Sequence, residues 1–434
     1  MKTRLIPVIA ALFIGYSPII AQDTLSLNAA IGIAIENNYR IIIAGSEVEI
    51  AKISNTPGNA GMLPQLNLKG SGNWEYGNVY QRFSDGSENN FPSFSGSTVN
   101  AASELNWTIF DGGRMFATKH RLESNQDLAE LSLQEEKNKI RYDVTAAYFD
   151  VVRNYEILHS LNKILEIAQQ RFELSEKAFN TGMLQKSDLL QASIDLNAVQ
   201  KSMIEQEYLI KQSEEKLRVL LCLPSVEFVL SDSLKTEYLP DFETLSQSLI
   251  AANTELMILQ KQTEVASFSL KESRRNIYPK IGLNAGYYLL RTVNSEGTII
   301  ENYSIGPQIG GSIVIPIFQS GEYRRKIATD KINLASAEYQ YRYYHDLIGS
   351  ELKVQYLEFV RLEKLIELEK DNNLLMSENI AISLHRLELG EAASTEIHQA
   401  QQQYLESCTN LINYRYNLKL SEARIQLLSG ENIR

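Results

Sequence analysis

The sequence predicts an α+β membrane protein, built from four long strands and two long helical hairpins that are distributed over two similar halves. Three observations support this fold class: an internal sequence repeat, a two-residue alternation of apolar side chains, and long stretches without glycine or proline. Together they predict that each half contains a short helix, then a strand pair, then a long helical hairpin.

An internal two-fold repeat relates the two halves at an offset of 208 residues. Ile140 and Tyr148 recur as Ile348 and Tyr356, and the same offset holds over nearly the whole length of a half. Because this unit is much longer than the roughly 20 to 50 residues of a solenoid repeat, we interpret it as a duplicated supersecondary block. Blocks of this kind build pseudo-symmetric rings and transport conduits.

The repeat also divides the chain into segments. The first repeat is predicted at 22–222, an inter-repeat linker at 223–242 and the second repeat at 243–434. The preceding segment, 1–21, has two basic residues, an apolar run and a small residue before a polar pair, which is typical of a secretory signal peptide. An uncleaved membrane anchor is the alternative, but the run is short for a span and contains two prolines.

Stretches without glycine or proline predict the two helical hairpins. Residues 114–181 contain neither residue and are rich in Leu, Glu, Lys, Gln and Ala, so one helix of about 100 Å is expected. A short break at Gly182 is followed by Asp188, which favours the start of a returning helix. The first hairpin is therefore predicted at 114–221 and its counterpart at 322–428. Apolar residues at spacings of three and four predict coiled-coil packing in both.

Apolar and polar side chains alternate in four segments, which predicts four β-strands. The strands are predicted at about 65–80, 98–110, 280–291 and 303–317, with polar loops at 81–97 and 292–302. Each segment exceeds the roughly 9 to 11 residues of a tilted transmembrane strand. A soluble sandwich would show the same alternation. Because about eight strands are the practical minimum for a closed barrel, several chains must share one barrel if the strands span a membrane.

Composition and residue spacing exclude several classes of function. The formal net charge of −11 argues against nucleic acid as a partner. The five histidines show no metal-ligand spacing, and no glycine-containing loop has the lysine and spacing of a nucleotide-binding loop. No arrangement of nucleophile and base stands out. We therefore expect a protein that is not an enzyme and that has no metal site and no cofactor.

Short motifs occur twice at the borders between predicted helices and strands. The four motifs are Leu63-Pro64-Gln65-Leu66, Tyr278-Pro279-Lys280-Ile281, Ile109-Phe110-Asp111-Gly112-Gly113-Arg114 and Ile317-Phe318-Gln319-Ser320-Gly321. In this combination they resemble the TolC-like outer membrane efflux protein family, and the resemblance covers essentially all of the chain after the signal peptide. It implies junctions between barrel and helices at Pro64, Gly112, Gly113, Pro279, Pro316 and Gly321.

The resemblance implies a homotrimer, in which four strands from each chain form a twelve-stranded β-barrel and the long hairpins continue it as an α-helical barrel. It further implies a passive exit duct of a tripartite efflux or type I secretion system. Such a duct lies in the outer membrane of a Gram-negative bacterium, contacts outer membrane lipid and extends into the periplasm. Its partners are a periplasmic adaptor protein and an inner-membrane pump of RND, ABC or MFS type. The alternative is a secreted or periplasmic coiled-coil scaffold without channel activity.

The resemblance also implies a role for the two hairpin ends, which would form the periplasmic entrance and contact the adaptor. The residues at these ends are Thr181, Gly182, Met183, Leu184, Leu389, Gly390, Glu391 and Ala392. Ala392 departs from the family pattern, because the best-known member has at this position an arginine that locks the entrance. Arg386 and Lys186 are candidates to replace it by their proximity.

An acidic constriction is implied close to these ends. Its expected residues are Glu396, Gln399 and Asp188, and three copies of one carboxylate would form a ring that attracts cations. Glu396 and Asp188 have an alternative role as first-turn acids that stabilise the N-terminus of a helix. The sequence leaves both roles open, and it does not identify the transported substrate.

Overall fold

The computed structural model describes residues 24–224, 229–235, 239–389, 391 and 394–430, and the predicted signal peptide lies outside them. In chain order, the elements are β1 (Thr24–Leu25), α1 (Leu27–Asn37), α2 (Tyr39–Ser54), β2 (Gln65–Arg82), β3 (Glu88–Phe110), α3 (Arg114–Asn180), α4 (Lys186–Leu221), β4 (Val229–Leu230), α5 (Phe242–Ala252), α6 (Thr254–Arg275), β5 (Lys280–Asn294), β6 (Glu301–Val314), α7 (Glu322–Glu388) and α8 (Ser394–Ser429). No helix within these ranges combines the length and the hydropathy needed to cross a membrane.

Two long antiparallel hairpins, α3 with α4 and α7 with α8, form most of the helical part. α3 and α7 each contain 67 residues, and α4 and α8 each contain 36. At 1.5 Å per residue, α3 and α7 are about 100 Å long. The bounds of α7 and α8 lie 208 residues after those of α3 and α4, which is the offset of the sequence repeat. The two hairpins therefore have the same length and the same turn position.

The large sheet is antiparallel and contains four strands in the order β2-β3-β5-β6. β3 and β5 join the two halves in the middle of the sheet. β2 and β6 are the edges, and the outer side of each has no strand partner among the described residues. An edge strand presents backbone N–H and C=O groups that can pair with a strand of another chain.

The two faces of this sheet differ in polarity. One row of side chains on the first face consists of Leu66, Leu105, Ala285 and Ile309. The neighbouring row, on the opposite face, consists of Asn67, Glu104, Gly286 and Gln308. Because successive side chains along a strand alternate between faces, the same contrast continues across the sheet. One face is therefore mainly apolar and the other mainly polar.

The first strand pair is longer than the sequence predicts. The segment 81–97, which the sequence predicts as a polar loop, is mostly strand, because β2 continues to Arg82 and β3 begins at Glu88. Backbone pairs such as Tyr80 with Asn90 extend the ladder beyond a register shift after Gly77. Backbone hydrogen bonds between the strands, and not the polarity of the side chains, therefore determine where this hairpin ends.

The fourth strand is shorter than the sequence predicts. The expected strand continues to 317, but β6 ends at Val314, which pairs with Lys280 at the start of β5. Pro316 has no backbone N–H to donate to the ladder and restricts the residue before it. Pro279 precedes Lys280 on the partner strand and also lacks this donor. The ladder therefore stops at the pair of Val314 with Lys280, where the partner strand reaches Pro279.

Each half opens with two helices and not with one short helix, because an asparagine separates them. Asn38 accepts a hydrogen bond from the backbone N–H of Arg40 at 2.9 Å and donates one to the carbonyl of Leu220 at 2.9 Å. Asn253 has the same role in the second half, where it donates to the carbonyl of Leu428 at 2.8 Å. Each asparagine thus caps a helix and ties it to the end of the adjacent hairpin.

The largest buried cluster lies where α1 packs on α3 and α4. Its members include Ala30, Ala34, Ile140, Val144, Tyr148, Val152, Leu217 and Leu221. The Tyr148 hydroxyl lies 2.7 Å from the carbonyl oxygen of Leu25 and 3.0 Å from Oδ2 of Asp232. Asp232 also accepts a 2.6 Å hydrogen bond from the N–H of Leu27. These contacts hold β1 beside β4, its parallel partner, so the segment between the halves returns to the start of α1.

Candidate functional site

The first hairpin end is a tight turn that depends on a glycine. Gly182 has a φ of +79°, a left-handed conformation that glycine adopts without steric cost. Its N–H donates to the carbonyl of Phe179 at 2.9 Å, and the N–H of Met183 donates to that of Ala178 at 2.8 Å. This pattern satisfies the last carbonyls of α3 and is typical of a helix C-terminus. Thr181 is the C-cap residue, and the Met183 side chain is 71% exposed at the end of the hairpin.

Leu184 differs from the other residues predicted at this end, because its side chain packs between the two hairpins. It contacts a cluster formed mainly by the second hairpin, with Ile380, Leu384, Leu387, Ile397 and Ala400 as buried members. Leu174 of α3 packs against the same cluster. The end of the first hairpin is therefore held against the second by apolar contacts, and Leu184 belongs to that contact.

The second hairpin end is described only in part. Leu389 is the C-cap residue of α7, and its side chain is 61% exposed. Glu391 is also exposed, and its N–H donates to the carbonyl of Arg386 at 2.9 Å. Gly390 and Ala392, two of the residues predicted at this end, lie outside the described residues.

Glu396 forms an ion pair within its own hairpin. Nη1 of Arg386 lies 2.5 Å from Oε1 of Glu396, and Nη2 of Arg386 donates to the carbonyl of Glu391 at 3.3 Å. Arg386 thereby joins α7 to the first turn of α8. Both side chains remain about 40% exposed, and ion pairs of this kind contribute at most about 1 kcal/mol to stability. Gln399, the other predicted constriction residue on α8, is exposed one turn further along the helix.

Asp188 caps the start of α4. Its carboxylate accepts a hydrogen bond from the N–H of Gln185 at 3.4 Å, and the Gln185 side chain accepts one from the N–H of Asp188. This reciprocal arrangement is a capping box, which satisfies two backbone donors at a helix N-terminus. The geometry favours the capping role of Asp188 over a role in an acidic constriction.

A buried ion pair lies further from the hairpin ends, between α3 and α4. Nη1 of Arg171 is 2.5 Å from Oδ2 of Asp195, and both side chains are buried. Gln191 donates a second hydrogen bond, of 2.8 Å, to Oδ1 of Asp195. Sequence reasoning missed this pair. The signal was present, because Arg171 and Asp195 each lie 12 residues from Met183, which places them at the same height on an antiparallel hairpin.

Two side chains of α8 extend this pair to the second hairpin. Nδ1 of His398 lies 2.9 Å from Oδ2 of Asp195, and Oε1 of Gln401 accepts a 3.5 Å hydrogen bond from Arg171. Asp195 therefore contacts residues of three helices. We call Arg171, Asp195, His398 and Gln401 the inter-hairpin node.

The junction between β3 and α3 contains two consecutive left-handed glycines. Gly112 and Gly113 have φ values of +76° and +82°. A Cβ atom on Gly112 would lie 2.5 Å from Cβ of Tyr278, so only glycine fits there. The buried Asp111 carboxylate accepts the N–H of Met115 at 3.1 to 3.2 Å and thus caps α3.

The junction between β6 and α7 has one glycine in the same conformation. Gly321 precedes α7 with a φ of +74°, and Ser320 has a φ of +48° where the first half has Gly112. Pro64 and Pro279 directly precede β2 and β5, and Pro316 lies between β6 and α7. All six predicted junction residues therefore lie between a strand and a helix.

Across the described ranges, no group of three or more His, Cys, Asp or Glu side chains is arranged to hold a metal ion. Asp195 and His398 are two such groups in contact, but Arg171 occupies the side of the carboxylate where a cation would bind.

Two curated relatives are similar to most of the chain. The Cation efflux system protein CusC of Escherichia coli O157:H7 is 26% identical over 327 residues, which are 74% of this chain and 66% of that protein. The Outer membrane protein TolC of Escherichia coli K12 is 19% identical over 379 residues, which are 85% of this chain and 75% of that protein. The match to CusC thus spans slightly less than two thirds of that protein.

A solved structure has the same fold. The outer membrane protein VceC from Vibrio cholerae superimposes with a TM-score of 0.77 at 17% sequence identity, over 93% of this chain and 96% of that chain. The model of the Outer membrane efflux protein family matches residues 31–222 and 245–431, one range in each half. The resemblance found in the sequence motifs is thereby confirmed, and the chain belongs to the Outer membrane efflux protein family.

Proposed function

We propose that this protein is the passive exit duct of a tripartite efflux or type I secretion system, located in the outer membrane of a Gram-negative bacterium. The observation that carries the proposal is the continuity of one amphipathic sheet with two helical hairpins about 100 Å long. The sheet would line a pore across the membrane, and the hairpins would extend that pore into the periplasm.

The open edges of the sheet support a homotrimer. β2 and β6 each lack a strand partner on one side among the described residues, and four strands are too few to close a barrel. Pairing β6 of one protomer with β2 of the next would give twelve strands from three chains and leave no open edge. Closure of this kind removes the unpaired backbone groups that lipid cannot satisfy.

The polarity of the sheet fits this arrangement. The apolar face would contact lipid, and the aromatic side chains on it, Trp74, Tyr76, Tyr287 and Tyr303, are exposed in the single chain. Aromatic residues of this type form the girdles of outer membrane barrels. The polar face would line the pore, where Nζ of Lys69 and Oε2 of Glu104 form an ion pair of 2.6 Å.

The flanks of the helical hairpins carry apolar stripes that would be covered in the trimer. The exposed apolar residues on α7 lie seven or fourteen residues apart and are Leu347, Val354, Leu368, Leu375 and Ile382. On α4 the exposed apolar residues are Leu190, Ile194, Ile204, Tyr208 and Val219. Since apolar stripes on helices pack in coiled coils, α7 of one protomer would lie beside α4 of the next.

The hairpin ends would form the periplasmic entrance. Met183 and Leu389 present exposed apolar side chains there, which suit a contact with an adaptor protein. The inner-membrane pump, whether of RND, ABC or MFS type, would supply the energy and select the cargo. Glu396 and Gln399 would lie at the constriction, with the Glu396 charge partly balanced by Arg386.

Closure of the entrance would rely on the inter-hairpin node and on the pair of Arg386 with Glu396. The first ties the two hairpins of one protomer together, and the second ties α7 to α8 within the second hairpin. Both would take the place of the locking arginine that is absent from this sequence at Ala392.

Single-channel conductance in a planar bilayer tests the proposal. The purified protein, extracted in mild detergent, is expected to run as a trimer and to form a channel of low, cation-preferring conductance. Detergent-free extraction of a non-conducting protein would instead support the alternative of a coiled-coil scaffold. Well-folded trimers without any conductance would contradict the duct.

A further inference from the structure

A cavity of about 690 Å³ lies between α3 and α8, and β4 forms one of its walls. The apolar side chains that line it are Val152, Val229, Leu230, Leu411 and Ile412. Cavities of about 300 to 1,000 Å³ with mainly apolar walls and a few polar groups are typical of small-molecule sites. Neither of the helix flanks assigned to trimer contacts, on α4 and α7, forms its main walls.

Three basic side chains surround the same cavity. Arg415 approaches from α8, whereas His159 and Lys163 approach from α3. Within the part of the chain that the structure describes, neither Arg415 nor Lys163 makes a hydrogen bond or an ion pair. Arginine and lysine in this situation are available to bind a carboxylate or a sulfonate, for which arginine offers two parallel donors.

Two carboxylates, Glu156 and Asp232, line the cavity together with these basic side chains. Burial raises the pKa of Glu156, although the charges of Arg415 and His159 oppose the shift. Asp232 already accepts hydrogen bonds from the N–H of Leu27 and lies 3.0 Å from the Tyr148 hydroxyl. With His159 neutral, the two cations and the two carboxylates nearly balance, and the lining becomes positive as the pH falls and Glu156 takes up a proton.

We propose that this cavity binds an amphipathic organic anion, whose apolar part lies against Val152, Leu411 and Ile412 and whose anionic group is bound by Arg415. Lys163 contributes further positive charge beside it. Since α3 belongs to the first hairpin and α8 to the second, a bound anion contacts both hairpins of one protomer. The site lies away from the hairpin ends.

Cys408 provides a reporter, because it lines the cavity and the only other cysteine, Cys222, lies at the end of α4. In a Cys222→Ser trimer reconstituted in lipid nanodiscs, the rate of Cys408 alkylation by a maleimide is measured with and without added ligand. Octanoate and naphthalene-2-carboxylate test a linear and a planar anion. Octanamide and naphthalene-2-carboxamide are the matched uncharged controls.

Either carboxylate is expected to slow the alkylation of Cys408 by about fivefold or more at saturation, because the bound ligand covers the thiol. The corresponding amide should need a concentration at least about tenfold higher, since it lacks the charge-assisted hydrogen bond to Arg415. The carboxylate that protects Cys408 better shows whether the cavity prefers a linear or a planar ligand. Equal protection by carboxylates and amides, or no protection by either carboxylate, would overturn the proposal.

Two variants assign the effect to the named side chains. Arg415→Gln should weaken protection by the carboxylate about tenfold, whereas Lys201→Gln, an exposed position on α4, should leave it unchanged. Glu156→Gln should remove the tighter binding that the wild type shows at lower pH. An unchanged affinity in Arg415→Gln refutes the assignment. Channel conductance is measured on the same trimers. It reports their folding and their duct function independently of ligand binding in the cavity.

Discussion

His398 of the second hairpin lies 2.9 Å from Asp195 of the first hairpin, measured from Nδ1 to Oδ2. Asp195 simultaneously pairs with the buried Arg171 at 2.5 Å. The contact between the hairpins therefore uses the Asp195 carboxylate, which also neutralises the buried Arg171 within the first hairpin. Breaking a buried ion pair from one side leaves an unpaired charge, which costs about 3–5 kcal/mol, whereas losing one hydrogen bond to a charged group costs about 1.5–3 kcal/mol.

Asp195→Ala should destabilise the helical part by about 3 kcal/mol or more, because Arg171 would remain buried without its carboxylate. The thermal unfolding midpoint of the trimer and hydrogen exchange of α3 and α4 measure this loss. Glu205→Ala is a matched control, since it removes an exposed carboxylate of α4. A similar midpoint in both variants would show that the buried pair carries little stability.

His398→Ala should weaken the contact between hairpins while leaving the pair of Arg171 with Asp195 in place. We expect a loss of about 1.5–3 kcal/mol in stability, smaller than that of Asp195→Ala, and a larger or more frequently open channel. Single-channel recordings at a fixed voltage measure the conductance and the open time. His385→Ala, an exposed histidine near the end of α7, is the control. Equal recordings for the two variants would count against a role of the node in closure.

Substitutions of Arg386 and Glu396 should change ion selectivity in opposite directions. Arg386→Gln leaves the Glu396 carboxylate without its partner and should raise the preference for cations, whereas Glu396→Gln should lower it. Reversal potentials in a salt gradient across a planar bilayer measure both effects. Selectivity that is unaffected by both substitutions would place the constriction at other residues.

Gly112→Ala and Gly113→Ala separate steric overlap from backbone strain. Both residues have a left-handed backbone, which costs a residue with a Cβ about 1–2 kcal/mol. At Gly112 the Cβ would also overlap Tyr278, which adds about 1–3 kcal/mol, whereas at Gly113 its nearest neighbour is 3.9 Å away. The yield and thermal midpoint of the trimer should therefore fall more in Gly112→Ala. The reverse order would contradict the packing at this junction.

The buried Asp330 should make stability depend on acidic pH. Burial by itself would raise the pKa of Asp330, but hydrogen bonds from Ser273 and Lys326 outweigh it and hold the pKa below its usual value. A depressed carboxyl pKa contributes stability above the unfolded pKa of about 3.9, and this contribution is lost as the pH falls through the lower pKa of the folded state.

Asp330→Asn should accordingly lower the thermal midpoint at neutral pH, by an amount that shrinks as the pH is reduced below about 4. Thermal unfolding of the detergent-solubilised trimer across this range measures the difference from wild type. Asp346→Asn, an exposed position on the same helix, should show no such trend. A difference that stays constant with pH would mean that the Asp330 carboxylate is not the source of the stability.

Local pattern was sufficient for the long hairpin helices but not for the paired opening helices or for all strand ends. A stretch without glycine or proline predicts a helix over 114–181, and α3 covers Arg114–Asn180, because nothing in that stretch interrupts the helical hydrogen bonds. Strand ends depend instead on the partner strand. The segment 81–97 is mostly strand despite its polarity, and β6 stops at Val314, where its partner reaches Pro279.

The sequence by itself determined the family, the two hairpins and the position of the first turn, because these depend on motifs, on periodicity and on a glycine at 182. Only the tertiary structure decided that Asp188 caps a helix, that Leu184 packs between hairpins, and that Asp195 joins His398 across 203 residues. The physical reason is that a charge or an apolar side chain takes its role from its neighbours, and the packing of two hairpins brings together residues that are far apart in sequence.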